Sequence, residues 1–133
     1  MSEVPSDLRY AATHEWVRAE EDGTITVGIT DHAQGALGDL VFVETPAMDG
    51  TVQAGEGCAV VESVKAASDV YAPVDGVIVD TNGRLTDEPE LVNTDPYGDG
   101  WIMRIKPDDA DSIEELMDAD DYEHMVSEQE DEE

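Results

Sequence analysis

The chain has 133 residues, 40% of them hydrophobic and 30% charged, which suits one packed domain of ordinary size. Its apolar runs are short, Cys58-Ala59-Val60-Val61 being typical, so a membrane-spanning helix is excluded. A formal net charge of −28, from 34 acids against 6 bases, opposes binding to nucleic acid or to an anionic membrane, because both are polyanions.

Residues 108–133 carry 14 of the acids and no Lys or Arg, while the rest of the chain carries 20 acids and all 6 bases. The excess is therefore general as well as concentrated in the tail. General acidity on a globular pattern points to a protein adapted to high salt, where self-repulsion is screened. An acidic docking surface for basic partners is the competing reading, and the two are compatible. The first residues, Met1 to Ser6, show no basic stretch followed by an apolar one, so no secretory signal is expected. The single cysteine, Cys58, leaves no internal disulfide and no multi-cysteine zinc site. A cytoplasmic protein is expected.

Strand signals dominate from residue 14 to 106. Residues 14–18 and 24–30 flank the turn Glu21-Asp22-Gly23, and the second run alternates apolar and polar positions; together they predict a hairpin. Thr30-Asp31 caps a short helix over 32–37, stopped at Gly38. Residues 39–45, with Leu40, Val41, Phe42 and Val43, form a strand that Pro46 ends. Asp49-Gly50 and Gly55-Glu56-Gly57 are turn signals around Thr51-Val52-Gln53. Two strands follow over 58–64 and 68–72, joined by a tight connection at Lys65-Ala66. Pro73 to Gly76 turns the chain into Val77-Ile78-Val79.

Residues 82–100 are rich in Asn, Gly, Pro and Asp, which predicts a long loop with one helical turn near 88–92. Residues 101–105 form the last strand, closed by Pro107. From Ser112 the period changes: Ile113, Leu116 and Met117, then Tyr122, Met125 and Val126, sit at helical spacing. They predict one or two terminal helices with an acidic outer face; residues 128–133 are expected to fray. Many short strands with closely spaced turns indicate a mainly β sandwich or barrel.

Few residues can carry catalysis. His14, His32 and His124 have no metal-ligand spacing and no HExxH is present; His32, near a helix start, reads as an ordinary polar contact. The acidic runs at 95–99 and 118–121 lack the Gly and Glu positions of a calcium loop. No GxSxG, P-loop or dinucleotide fingerprint appears. Cys58 opens a strand among apolar residues and reads as a small core residue. Of the two lysines, Lys106 ends a strand before Pro107 and reads as structural. Lys65 lies between two strand runs, so its amine projects from a hairpin tip where another enzyme can reach it. A plain surface lysine is the alternative.

Glu62-Ser63-Val64-Lys65-Ala66 with Ser68-Asp69-Val70 resembles the lipoyl-attachment hairpin of the glycine cleavage system H proteins. The resemblance extends through Tyr10-Ala11, His14-Glu15-Trp16-Val17, Gly28-Ile29-Thr30-Asp31-His32-Ala33-Gln34 and Gly38-Asp39-Leu40-Val41-Phe42-Val43-Glu44. Ala72-Pro73-Val74-Asp75-Gly76 and Asn93-Thr94-Asp95-Pro96-Tyr97-Gly98-Asp99-Gly100-Trp101 complete it, in register over residues 8–126. Biotin-carrier domains share the fold, but their lysine usually lies between two methionines; Val64 and Ala66 favour lipoate here. The tail after Asp118 is more acidic than expected of the family. Thr13 stands where many members have Ser, keeping the hydroxyl. Neither departure touches Lys65.

The resemblance implies a flattened β-barrel sandwich of the lipoyl/biotinyl type, a hybrid motif with short helices, over residues 1–110, and an acidic helical tail over 111–133 packed on it. It implies a non-catalytic carrier with lipoate in amide linkage to Lys65, and a shuttling carrier of this charge is expected to be a monomer. Glu62, Ser63, Val64 and Ala66 would present the amine to a lipoate ligase or lipoyl-transfer enzyme, with position mattering more than flanking charge. A pyridoxal-phosphate glycine decarboxylase (P-protein) would load the aminomethyl group of glycine. A tetrahydrofolate-dependent aminomethyltransferase (T-protein) would unload it, and dihydrolipoyl dehydrogenase (L-protein) would reoxidise the dithiol with NAD. The loaded arm is liable to hydrolysis, so it benefits from a cleft that excludes water and offers acceptors to its terminal amine. Thr13, Glu15 and Asp69 are expected there, with His32 at the mouth. Two other roles stay open: relay of lipoate to 2-oxoacid dehydrogenase subunits, and a non-lipoylated acidic interaction protein.

Overall fold

The computed structural model of the protein describes residues 4–46 and 48–131. Its strands, in chain order, are β1 (Arg9–Tyr10), β2 (Glu15–Ala19), β3 (Ile25–Ile29), β4 (Leu40–Glu44), β5 (Thr51–Val52), β6 (Gly57–Ser63), β7 (Ala67–Tyr71), β8 (Gly76–Thr81) and β9 (Met103–Pro107). They form two antiparallel sheets, one ordered β1-β2-β3-β9-β8-β5 and the other β4-β6-β7. Val17, Val27, Ile78, Met103 and Ile105 from the first sheet meet Val43, Val61 and Val70 from the second in one buried core. Each such side chain removed from water is worth about 1.5–3 kcal/mol.

The expected hairpin forms, with Val17 opposite Val27, but β3 is buried at all five positions rather than at alternate ones. The reason is Trp16. It stands opposite Gly28, where an added Cβ would lie 2.7 Å from the indole nitrogen. Glycine lets the ring lie across β3, and its Nε1–H donates to the Pro96 carbonyl (2.8 Å). The remaining polar residue, Thr26, donates to Glu20 (2.6 Å) and accepts from Arg104 (3.2 Å), so its burial leaves no bond unmade.

The helix expected at 32–37 is α1 (Asp31–Leu37). The Thr30 hydroxyl caps the Ala33 N–H, and Gly38 at φ 87° ends it. The segment 82–100 carries two turns rather than one, α2 (Arg84–Asp87) and α3 (Leu91–Thr94), which insert Leu85 and Val92 into the core. Pro89, without an N–H to continue a helix, separates them, so the second turn begins at Leu91 rather than 88. The Asn82 amide secures the segment, donating to the carbonyls of Asp99 (2.7 Å) and Trp101 (2.8 Å). Trp101 still belongs to that turn, its N–H donating to Gly98 (3.1 Å). The last strand therefore starts at Met103 and includes Pro107.

The terminal periodicity resolves into a 3-10 helix (Ala110–Glu115) and α4 (Ala119–Asp131). Residues 128–131 continue the helix rather than fraying, and 132–133 lie outside the described residues. The α4 helix docks through Tyr122, whose ring stacks on Tyr10 with centroids 4.7 Å apart. Trp16, Leu8 and Ala119 complete this second cluster. Strand β1, which supplies Tyr10, is two residues long and has no period to read.

Candidate functional site

The β6–β7 hairpin closes through the Ser63 N–H, which donates to the Ala66 carbonyl (2.7 Å). Its tip is therefore Val64-Lys65, one residue earlier than the expected Lys65-Ala66 connection. Among the described residues, positive φ outside glycine occurs at His14 and Asp49, so neither tip residue is left-handed. The Ser63 hydroxyl holds the turn instead, accepting from the N–H groups of Lys65 (3.3 Å) and Ala66 (3.1 Å). Serine thereby replaces the Asn-Gly chemistry of the commonest two-residue hairpins.

Val64, Lys65 and Ala66 are exposed and Glu62 is half-buried, opposite Ala67. The Lys65 stem runs back over Gly38, where an added Cβ would lie 3.2 Å from its Cε. Gly38 thus does two things: its positive φ turns α1 into β4, and its missing side chain makes room for the lysine. Asn93 pins this corner, donating to the Gly38 carbonyl and the Gln34 side chain (both 2.9 Å) and accepting from the Leu40 N–H (2.9 Å).

Between α1, β7 and the start of β2 lies a cavity of about 180 Å³. Thr13, Glu15, His32 and Asp69, the four expected cleft residues, all line it, with Leu37 next to the Gly38 corner. Glu15 is 1% exposed. One carboxylate oxygen accepts from the Thr13 hydroxyl, and the other accepts from the Tyr71 N–H (3.2 Å). The second bond joins the two sheets. Burial pushes the Glu15 carboxyl up to about 7, against the pull of those two hydrogen bonds. Asp69 and Thr13 are exposed at the cavity's edge and His32 is half-buried.

His14 also lines the cavity, a placement that spacing arguments miss. It ends a turn in which its N–H donates to Ala11 (3.0 Å) and the Ala11 N–H donates to Glu15 (2.9 Å). Its φ of 74° is a left-handed conformation more usual for glycine or asparagine. Its Nδ1 lies 2.7 Å from the Tyr122 hydroxyl, which is 2.7 Å from the Thr30 hydroxyl. Its ring lies 5.0 Å from that of His32. The terminal helix therefore braces the cavity through Tyr122. The polar pair Thr13-His14 follows two alanines just before β2, but nothing in that short stretch points to a partner 108 positions away.

Cys58 packs against the main core, its thiol donating to the Val70 carbonyl (3.5 Å). Burial, with the Glu15 and Glu56 carboxylates, pushes that thiol up to about 11, too high for a nucleophile at neutral pH. Lys106 is exposed on β9 and His124 on α4. Among the described residues, no group of three or more His, Cys, Asp or Glu is placed to hold a metal ion, and no helix is long and apolar enough to cross a membrane.

Two antiparallel sheets that present one lysine on a tight hairpin beside a lined cleft define a domain of the lipoyl/biotinyl carrier type. A family model described as glycine cleavage H-protein matches residues 8–129. A glycine cleavage system H protein of Alkalilimnicola ehrlichii is 62% identical over 130 residues, covering 98% of this chain and 100% of its own. One from Halorhodospira halophila is 62% identical over 129 residues, covering 97% of this chain and 99% of its own. The crystal structure of a glycine cleavage system H protein from Mycobacterium marinum superposes with a TM-score of 0.85 at 43% identity, covering 93% of this chain and 99% of that one. The chain belongs to the glycine cleavage H-protein family.

Proposed function

We propose that the protein is the lipoyl carrier of the glycine cleavage system, with lipoate in amide linkage on Lys65 and the cavity beside α1 sheltering the loaded arm. One observation carries this reading: the stem of an exposed hairpin lysine lies over Gly38, beside a cavity in which Thr13, Glu15, His32 and Asp69 meet. Leu37, next to Gly38 in the chain, lines that cavity, so the lysine stem and the cavity meet at one corner of the fold.

Lipoate, when bound, supplies a cyclic disulfide that is reduced as it takes up the aminomethyl group of glycine. The chain's own residues present, shelter and neutralise. Glu62, Ser63, Val64 and Ala66 form the rigid hairpin that offers the amine to a lipoate ligase or lipoyl-transfer enzyme. Ile29, Val61 and Val70 supply an apolar wall that keeps water from the cargo. Glu15, with its carboxyl near 7, is poised to ionise when a cationic amine enters, because a nearby positive charge lowers a carboxyl pKa. Thr13 orients that carboxylate, Asp69 adds a second acceptor at the edge, and His32 lines the mouth.

The carrier itself turns nothing over. Its partners are the P-protein, the T-protein and the L-protein, which a monomeric shuttle meets in the cytoplasm. Residues 1–110 form the lipoyl-bearing domain and 111–133 its acidic tail. The charge of −28 fits adaptation to high salt and is compatible with an acidic docking surface for basic partners.

Intact mass of the protein from its native host, with peptide mapping, tests the assignment. A lipoyl increment on Lys65 that is reduced when glycine and the decarboxylase are supplied is expected. An unmodified Lys65 in a host whose other lipoyl domains are modified overturns it, and transfer of the lipoyl group intact to 2-oxoacid dehydrogenase subunits would instead establish a relay. Glu15→Ala combined with Asp69→Ala should speed breakdown of the loaded form; an unchanged rate would remove the cleft roles.

A further inference from the structure

Large hydrophobic side chains that stand exposed among the described residues are Val41 (56%), Phe42 (47%), Met48 (53%) and Val64 (79%). Three of them gather at one corner. The β4 strand runs antiparallel to β6 with Leu40 opposite Ser63 and Phe42 opposite Glu62, and the register slips between Leu40 and Phe42. That irregularity breaks the strand's alternation: Val41 and Phe42 are both exposed, flanked by buried Leu40 and Val43. A regular strand would turn one of the two inwards. Phe42 is the chain's single phenylalanine, and the fold places it on the surface. The lysine is adjacent, since Ser63 leads directly into Val64-Lys65 and the Lys65 stem lies over Gly38, two residues before β4.

We infer that the outer face of β4, centred on Phe42 and continued by Val64, is the docking surface for the enzyme that acylates Lys65. The partner this surface fits has an apolar pocket rimmed by Lys and Arg. The inference rests on the lipoyl-carrier reading and adds to it which partner reads this face and through which residue.

The chemistry of attachment selects the occupant. The neutral Lys65 amine attacks the acyl carbon of an acyl adenylate. A C–N bond forms, the C–O bond to the phosphate breaks, AMP leaves with the electron pair, and the nitrogen gives one proton to solvent. The lysine nitrogen must itself enter that active site, so the enzyme covers whatever lies at the base of the side chain. Enzymes that act on the distal end of the arm have no such requirement. Charge agrees with this occupant: Asp39 and Glu44 are exposed on the same strand and its lead-in, Glu62 stands opposite Phe42, and the chain is strongly acidic overall. An aromatic centre with a charged rim is the anatomy of an interface hot spot. At about 1 M salt the screening length falls to about 3 Å, which silences the rim and leaves the apolar centre to carry recognition.

The test uses the unmodified full chain with lipoate, ATP, Mg²⁺ and a lipoate–protein ligase. Phe42→Thr should lower kcat/KM for lipoylation about tenfold or more, through KM, and keep most of that effect in 1 M KCl. Val64→Thr, at a tip with no packing to lose, should lower it about threefold. Met48→Thr, beyond the far end of β4 from Lys65, should match wild type. Once driven to full lipoylation, the Phe42→Thr protein should be turned over by dihydrolipoyl dehydrogenase at the wild-type rate. Wild-type lipoylation kinetics in both Phe42→Thr and Val64→Thr would overturn the inference and leave the carrier reading standing. An equal loss with the dehydrogenase would also overturn it, by showing a surface common to all partners. No lipoylation of the wild type, under conditions in which the ligase modifies another lipoyl domain, would overturn both.

Discussion

Two tight turns flank the cleft, and they are held in opposite ways. The turn before β2 is strained and tied to distant parts of the chain. His14 is left-handed, a conformation that costs a non-glycine residue about 1–3 kcal/mol. Its side chain meets Tyr122 of α4, while the neighbouring Glu15 accepts from Tyr71 of β7. The Lys65 turn is local. Its backbone has no left-handed residue, Ser63 satisfies its amides, and Val64 and Lys65 face solvent. The first turn buries titratable groups and needs tertiary structure to hold them. The second leaves its one functional group free for another enzyme and therefore has to be rigid by itself.

Exchanging Val64 and Lys65 attacks the local turn where it matters most. Ser63 still closes the hairpin, but the amine no longer lies over Gly38, and lipoylation measured by intact mass should be lost. Full modification of the exchanged protein would mean that any lysine at the tip suffices.

Glu15→Gln attacks the tertiary turn. The Glu15 carboxyl rises from its ordinary 4.5 to about 7 in the fold. Between those values the folded protein keeps a proton that the unfolded chain has released, so stability falls as pH rises through that window. The deficit is complete above pH 7 and absent below about pH 4.5. The substituted amide would accept from the Tyr71 N–H and donate to Thr13 while remaining neutral. Urea unfolding should show the variant matching wild type at low pH and exceeding it by up to about 3 kcal/mol at pH 8. A variant less stable than wild type at pH 8 would mean that the ionised carboxylate is favoured there.

Tyr122→Phe keeps the stack on Tyr10 but removes the hydroxyl shared by His14 and Thr30. It should cost about 2 kcal/mol, because both partners lose a bond in a mostly buried site. Amide exchange should quicken at 11–15 and at the start of α1 and stay unchanged at the Lys65 hairpin. Equal quickening at both turns would show that the two are not independent. Ser63→Ala should have the smallest effect, about 1 kcal/mol or less, since water can reach the freed amides. It should lower the lipoylation rate without moving the pH profile set by Glu15.

Much of this was legible in the residues. Alternation predicted the 14–30 hairpin, Thr30 and Gly38 marked the ends of α1, and a lysine between two strand runs marked a hairpin tip. The motifs from Tyr10 to Trp101 carry the family resemblance without any tertiary contact. What the sequence left unread has physical causes. A two-residue strand such as β1 has no period. Pro89 splits a segment that composition alone describes as loop. The burial of Thr26 depends on Glu20 and Arg104, which reach its hydroxyl from the end of β2 and from β9, and nothing in the 24–30 run specifies those partners. Tip position shifted by one residue because Ser63 caps through its side chain, which turn statistics weight lightly.

By itself, the amino-acid sequence determined which segments can be strands or helices, that one lysine would be offered on a hairpin, and that the surface would be acidic. These follow from periodicity, turn chemistry and composition, all local properties. Tertiary structure alone decided that Glu15 would be dehydrated against Tyr71, that His14 would meet a tyrosine from the terminal helix, and that a register slip in β4 would leave both Val41 and Phe42 exposed. Each depends on which surfaces pack together, and a pattern of apolar positions specifies a face to be buried without specifying its partner.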